Sequence, residues 1–216
     1  MKNSTNRIVF WIVVIALIVG SVSVIIYSHK STSSADVPPV SDSDWTLGNK
    51  ESDIVLIEYS DFQCPACVSY FDLLKDVVEE FDKHILFVYR HYPLDSIHKN
   101  AGFAAAAAEA AGKQGKFWKM YDKLFGNQSD WDYKSKEEAE TVFADYAAEI
   151  GIDVQKFLKD LYSEEVIEKV ERNRQSAVSA EIYYTPAFIL NGELIQNPRT
   201  LEEFRSLIRT AIEKNT

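Results

Sequence analysis

An α/β fold interrupted by an all-helical block, and preceded by one membrane-spanning helix, is what this 216-residue sequence predicts. Three observations lead there. Residues 8–27 carry no charged side chain, and about twenty residues at helical rise are enough to cross a bilayer core. IVLIEY (54–59) and ILFVYRHY (85–92) are short β-branched and aromatic runs of the kind buried on both faces of a sheet, with a helix-spaced stretch between them. From Asp95 to about Ile182 no strand pattern occurs, and apolar residues recur at three- and four-residue steps.

Taken in order, residues 1–7 are a cytoplasmic N-terminus and residues 8–28 a transmembrane signal anchor. Lys2, Arg7 and the free amino group precede the apolar run, His29 and Lys30 follow it, and that balance places the remainder outside the cytosol. A cleaved signal peptide is the rival, with Ser33-Ser34-Ala35 as small residues for a peptidase; it would leave a secreted or periplasmic protein. The run is longer than the roughly 7–15 apolar residues of a signal core, which favours the anchor, held directly in the lipid bilayer. Residues 29–49 are expected to be a flexible linker, since STSSADVPPVSDSD has the composition of a solvated tether, with the globular part starting near Trp45.

Residues 50–94 form the first part of the α/β domain. Val68, Phe71, Leu74, Val78 and Phe81 recur at helical spacing, so a helix over 64–82 joins the two strand candidates as a βαβ unit with a parallel pair. Residues 95–181 are the helical insertion: AGFAAAAAEAAGKQG, FWKMYDKLF, KEEAETVFADYAAEIG and VQKFLKDLY predict four or five helices. Residues 182–216 return to the sheet, as a hairpin in AFILNGELI turning at Asn191-Gly192 and a closing helix whose Thr200 and Glu203 have capping-box spacing.

Charge narrows the function. Residues 1–30 hold three of the 23 basic groups and none of the 33 acids, so residues 31–216 carry a formal charge of −13 and will not seek nucleic acid. Outside the cytosol a thiol pair can also stay oxidised.

Both cysteines lie in DFQCPACVSYF, as Cys64 and Cys67. A structural zinc site wants four ligands, and no second cysteine pair exists while the four histidines (His29, His84, His91, His98) are scattered; no metal and no other cofactor is expected. A purely structural disulfide would close a four-residue ring, where the stabilisation from loop closure is smallest. Thiol chemistry remains. Pro65 fits the first helical position, which puts Cys64 at the N-cap, facing free backbone N–H groups that favour its thiolate. Cys67, one turn on, is the shielded partner. Asp61 pulls the other way, weakly if it is solvated in a loop.

EYSDFQCPACVSYF, HKNAGFAAAAAEAAGKQGKFWKMYDKLF and YYTPAFILNGELI together resemble the DsbA-like thiol–disulfide oxidoreductases over residues 45–214. The resemblance implies a thioredoxin-like fold with the helical block inserted and a redox-active Cys64–Cys67 disulfide, with Cys64 as nucleophile and Cys67 as resolving thiol. It implies a cis Pro186 facing the cysteines, with Thr185 offering backbone hydrogen bonds to substrate, and a buried acid at Glu58 exchanging protons with Cys67. An outward-facing edge glutamate is the alternative for Glu58. Arg90 and His91 are expected in core or surface roles. Ala66 departs from the best-known oxidants of the family, which have histidine in the motif, so oxidising strength is in question. The expected activity is a membrane-anchored oxidase introducing disulfides into reduced or misoxidised exported polypeptides and reoxidised by a membrane thiol oxidase. Alternatives are a reductase or isomerase of the same fold, or a non-catalytic peptide-binding chaperone.

Overall fold

The structure is a computed structural model that describes Trp11 and residues 36–215. Apart from Trp11, the expected anchor at 8–28 lies outside the described residues, and among the described residues no helix is long and apolar enough to cross a membrane.

The sheet has the order β1-β3-β2-β4-β5, with β1 at Trp45–Gly48, β2 at Val55–Ser60, β3 at Leu86–His91, β4 at Ala187–Leu190 and β5 at Glu193–Ile195. β2 and β3 run parallel; the other neighbours are antiparallel. The βαβ helix is α1 (Pro65–Phe81), and the closing helix, here α7, spans Leu201–Lys214. Between β3 and β4 lies the insertion: α2 (Ala101–Gly112), α3 (Phe117–Gly126), a 3-10 turn (Gln128–Asp130), α4 (Lys136–Glu149), α5 (Val154–Leu161) and α6 (Glu164–Ser179). The hairpin turns where expected, Asn191 and Gly192 both at positive φ, as a two-residue turn between twisted strands requires. Thr200 caps α7 through the amide of Glu203, while the Glu203 carboxylate reaches back to the amide of Arg199, one residue beyond the cap.

Strand alternation decides what faces what. From β2, Leu56 joins Phe87, Tyr89 and Phe188 in the core under α1 and α7, with Phe71, Leu74, Val77, Phe204 and Ile208. Ile57 and Tyr59 face the other side, with Val88 and Ile189, against Ala177 and Ala180 at the end of α6. Glu58 and Ser60 therefore share the α1 side with Leu56, and both are buried. In the insertion, α2 owes its central place to its alanines, buried from Ala104 to Ala111, which let neighbouring helices approach closely. Its last residue has to be glycine, because a Cβ on Gly112 would lie 2.3 Å from the Trp45 ring.

β1 corrects the expected linker at 29–49. WTLG is too short to show alternation, and it becomes a strand through distant partners: the Trp45 indole donates to Glu109 at 2.8 Å and stacks on Phe117 at 4.3 Å. The preceding segment is held as well. Val37 and Val40 pack on the back of the sheet, and the buried Arg90 guanidinium donates to both Asp44 carboxylate oxygens (2.9 and 3.0 Å), to the carbonyls of Pro38 and Pro39 and to the Tyr59 hydroxyl. Asp44→Asn strands that buried cation, so unfolding titrations should show a loss of about 3 kcal/mol, with partial recovery when Arg90 is also replaced by Met. An unchanged denaturation midpoint would mean the pair adds nothing to the fold.

Candidate active site

β2 ends at Ser60, and the chain turns through Asp61, Phe62 and Gln63 before α1 begins. The Cys64 amide donates to the Asp61 carbonyl at 3.1 Å, and Cys64 takes the N-cap position in extended conformation (φ −73°, ψ 121°), followed by Pro65. The tight turn delivers the Cys64 sulfur to the loop before β4. There its S–H donates to the Thr185 carbonyl at 3.6 Å, across a chain separation of 121 residues, and the Thr185–Pro186 peptide is cis. Asn197 holds the Pro186 carbonyl at 2.7 Å. Both cysteines are free thiols, Cys64 7% exposed and Cys67 1%. That small difference makes Cys64 the sulfur that can be reached.

The two thiols titrate apart. The Cys64 thiol is held down to about 6, first by the S–H of Cys67, then by the Thr185 side chain and the Cys67 and Ala66 amides, against the opposing effect of burial. Cap position alone predicts the backbone amides as the main stabiliser; the neighbouring thiol is larger because it lies one turn away in a water-poor pocket. The Thr185 hydroxyl, buried and unpartnered while Cys64 is protonated, is free to donate once it is a thiolate. Burial pushes the Cys67 thiol well up, and the Cys64 and Glu58 charges add to the shift. A thiolate absorbance titration at 240 nm on the reduced protein should show one midpoint near 6. A first midpoint near the ordinary thiol value of about 8.5 would overturn this electrostatic account.

Glu58 is 1% exposed, beneath the dithiol rather than at an edge. Burial is the main cause that pushes its carboxyl up to about 8; the Ser60 side chain opposes the shift and the Cys64 charge adds to it. A carboxyl in that state is neutral at pH 7 and able to give up a proton.

Asp61 is not solvated. It is 2% exposed, its carboxylate accepting from the amides of Gln63 (2.7 Å) and Leu94 (2.9 Å), with His98 Nδ1 2.7 Å from Oδ2. Burial pushes its carboxyl up, and these partners oppose the shift. Leu94 and His98 are contributed by the loop after β3, which local sequence does not disclose. Gln63 ties the same turn to the insertion, donating to the Asp132 carbonyl at 2.5 Å and accepting from the Asn100 amide at 2.7 Å. Arg90 serves the core, as expected. His91 lies 2.9 Å from Glu109, which also pairs with Lys169 at 2.8 Å. The chain positions that sequence reasoning passed over are Ser60 and Tyr89. Ser60 lies two residues beyond Glu58 in a strand, a spacing that puts it on the same face; Tyr89 faces Glu58 across the β2–β3 register.

A family model described as Thioredoxin matches residues 41–210. The chain belongs to the thioredoxin family. Its fold is similar to that of BdbD from Bacillus subtilis, with a TM-score of 0.72 at 22% identity over 83% of this chain and 97% of that one. It is similar also to α-DsbA1 from Wolbachia pipientis, with a TM-score of 0.72 at 20% identity over 82% of this chain and 94% of that one. Among curated proteins it is 34% identical over 157 residues to a Na(+)/H(+) antiporter, NhaA 1, of Mycolicibacterium vanbaalenii, covering 72% of this chain and 24% of that protein. The chain thus spans about a quarter of the length of such relatives. This thioredoxin-family protein thus carries a dithiol at the start of its first helix and a helical insertion between β3 and β4.

Proposed function

We propose that this protein is a membrane-tethered oxidase of protein thiols, acting outside the cytosol on reduced or misoxidised exported polypeptides. The observation that carries this reading is the Cys64 sulfur at the N-cap of α1, against the Thr185 carbonyl and beside a much more basic Cys67.

The chemistry follows from that asymmetry. A substrate thiolate attacks the Cys64 sulfur of the Cys64–Cys67 disulfide; the S–S bond breaks and the electron pair leaves on Cys67. Cys67 is too basic to persist as a buried anion, so Glu58, protonated at neutral pH, supplies its proton. A second substrate thiolate then attacks the substrate sulfur of the mixed disulfide and expels Cys64 as a thiolate. The substrate leaves oxidised and the enzyme leaves reduced, to be reoxidised by a membrane thiol oxidase. Thr185, next to the cis bond, lends its backbone to an extended substrate segment by short β-augmentation.

The lowered Cys64 titration favours the oxidising direction. Holding Cys64 at about 6 stabilises the reduced pair at pH 7 by about 1.4 kcal/mol relative to an ordinary thiol, worth about 30 mV of oxidising power. That is a moderate push, in keeping with Ala66 in the motif. The apolar run at residues 8–27 supports the tether, and the match to part of a Na(+)/H(+) antiporter supports a membrane setting.

The test is equilibration of the Cys64/Cys67 pair against glutathione, alongside refolding of a reduced disulfide protein. A potential above about −240 mV with productive refolding is the expected result. A lower potential assigns the protein to the reductases or isomerases. Peptide holding with no thiol exchange assigns it to the chaperones.

A further inference from the structure

Beneath Cys67, Glu58 Oε2, the Ser60 hydroxyl and the Tyr89 hydroxyl are buried with no hydrogen bond of good geometry from the protein, the Ser60 side chain lying close enough to both Glu58 and Cys67 to lower their titrations. They are neighbours by register as well as by burial. Glu58 pairs with Tyr89 across the parallel β2–β3 ladder, Ser60 follows Glu58 on the same strand face, and Tyr89 meets the Tyr121 ring edge-on at 5.1 Å. Tyr121 in turn lines a groove of about 380 Å³ between α1 and α3, with Leu74, Phe87, Trp118 and Asp122. Orphaned polar groups clustered in an otherwise apolar core are where proteins hold bridging water.

Resting on the proposed proton transfer from Glu58 to Cys67, we propose that Ser60 and Tyr89 are positioning residues that hold water against Glu58, and that this hydroxyl-lined cluster, ending at Tyr121, is the path by which the replacement proton enters from the groove. Each opening of the disulfide leaves one proton on Cys67 and one negative charge on Glu58. The balance closes only when a proton from solvent reaches Glu58. Hydroxyls are the groups that relay a proton while remaining neutral: burial pushes both tyrosines well above their ordinary value, so neither ionises on the way. The groups that face Glu58 are Cys64, Cys67, Ser60, Tyr89 and Tyr121, with Asp61 and His91 beside Tyr89.

The experiment measures two rates after dithiothreitol is added to the oxidised full-length enzyme, disulfide opening and the proton uptake from solvent that follows it (read by a pH-indicator dye), against pH and in H2O and D2O, for the parent, Tyr89→Phe, Ser60→Ala and Glu58→Gln. Tyr89→Phe should slow the proton uptake about tenfold at neutral pH and raise its solvent isotope effect, with Ser60→Ala moving both the same way. The 240 nm titration of Cys64 should stay where it is in the parent. Two results overturn the path: a Tyr89→Phe proton-uptake rate within about twofold of the parent with the same pH profile, or slowing that merely follows a displaced Cys64 titration. Glu58→Gln separates the two ideas. If it opens slowly while Tyr89→Phe takes up its proton at the parental rate, only the path fails; if it opens at the parental rate, the proton-donor reading beneath it fails as well.

Discussion

Replacing Cys64 with Ser is expected to abolish thiol–disulfide exchange, lowering the oxidation rate of a dithiol peptide by more than about 10³-fold while leaving the fold intact. Serine has nearly the same shape, and its hydroxyl can still donate to the Thr185 carbonyl, so the cis-proline loop keeps its contact. What disappears is the sulfur that combines access with an anionic state at neutral pH: Cys67 is 1% exposed and its thiol is pushed far up. The complementary substitution reads the division of labour. Cys67→Ala should leave Cys64 able to attack a substrate disulfide but without the second enzyme thiol that displaces the bound substrate, so a covalent enzyme–substrate mixed disulfide accumulates and is visible on a non-reducing gel. Adducts through Cys67 in the Cys64→Ser protein would reverse the assignment. Cys67→Ala also removes the largest stabiliser of the Cys64 thiolate, so the 240 nm midpoint should rise from about 6 toward the ordinary thiol value.

Glu58→Gln is expected to slow disulfide opening about 10- to 100-fold and, at the same time, to make the protein more stable at pH 7 relative to its parent. The sign follows from linkage. In the unfolded chain the carboxyl ionises around 4.5, in the folded protein around 8, so between these values the folded state binds the extra proton. Stability of the parent therefore falls as pH rises through that window, whereas glutamine has no such slope. By pH 7 the accumulated difference is about 3 kcal/mol in favour of the variant, measured against the pair's difference at pH 4. Urea titrations of both reduced proteins at the two pH values check it; the Cys64 contribution is present in each and largely cancels. Parallel pH profiles would mean that Glu58 ionises normally and is no proton store. A stability penalty under a dithiol, removable by one atom's change, fits the proposed role of Glu58 as a proton donor.

Much of this was legible in the linear chain because it rests on short-range rules. β2, α1 and β3 declare themselves by length, branching and spacing, and Asn191-Gly192 announces the hairpin because both positions need positive φ. Cys64 and Cys67 are legible for the same reason, since an N-cap followed by proline is a local event. β1 was not legible. Four residues carry no period, and WTLG is a strand because Trp45 finds Phe117 and Glu109 far along the chain. Asp61 misled for a related reason: an aspartate in a turn is ordinarily wet, but here the loop carrying Leu94 and His98 closes over it.

Sequence alone thus determined on which element the two thiols stand, because helix capping and strand alternation act over a few residues. Tertiary structure decided what surrounds them. The carbonyl that meets Cys64, the burial that raises Glu58 and the hydroxyls of Ser60 and Tyr89 are brought together by sheet register and by a loop 121 residues away. Desolvation is a property of the closed core, and no stretch of chain carries it by itself.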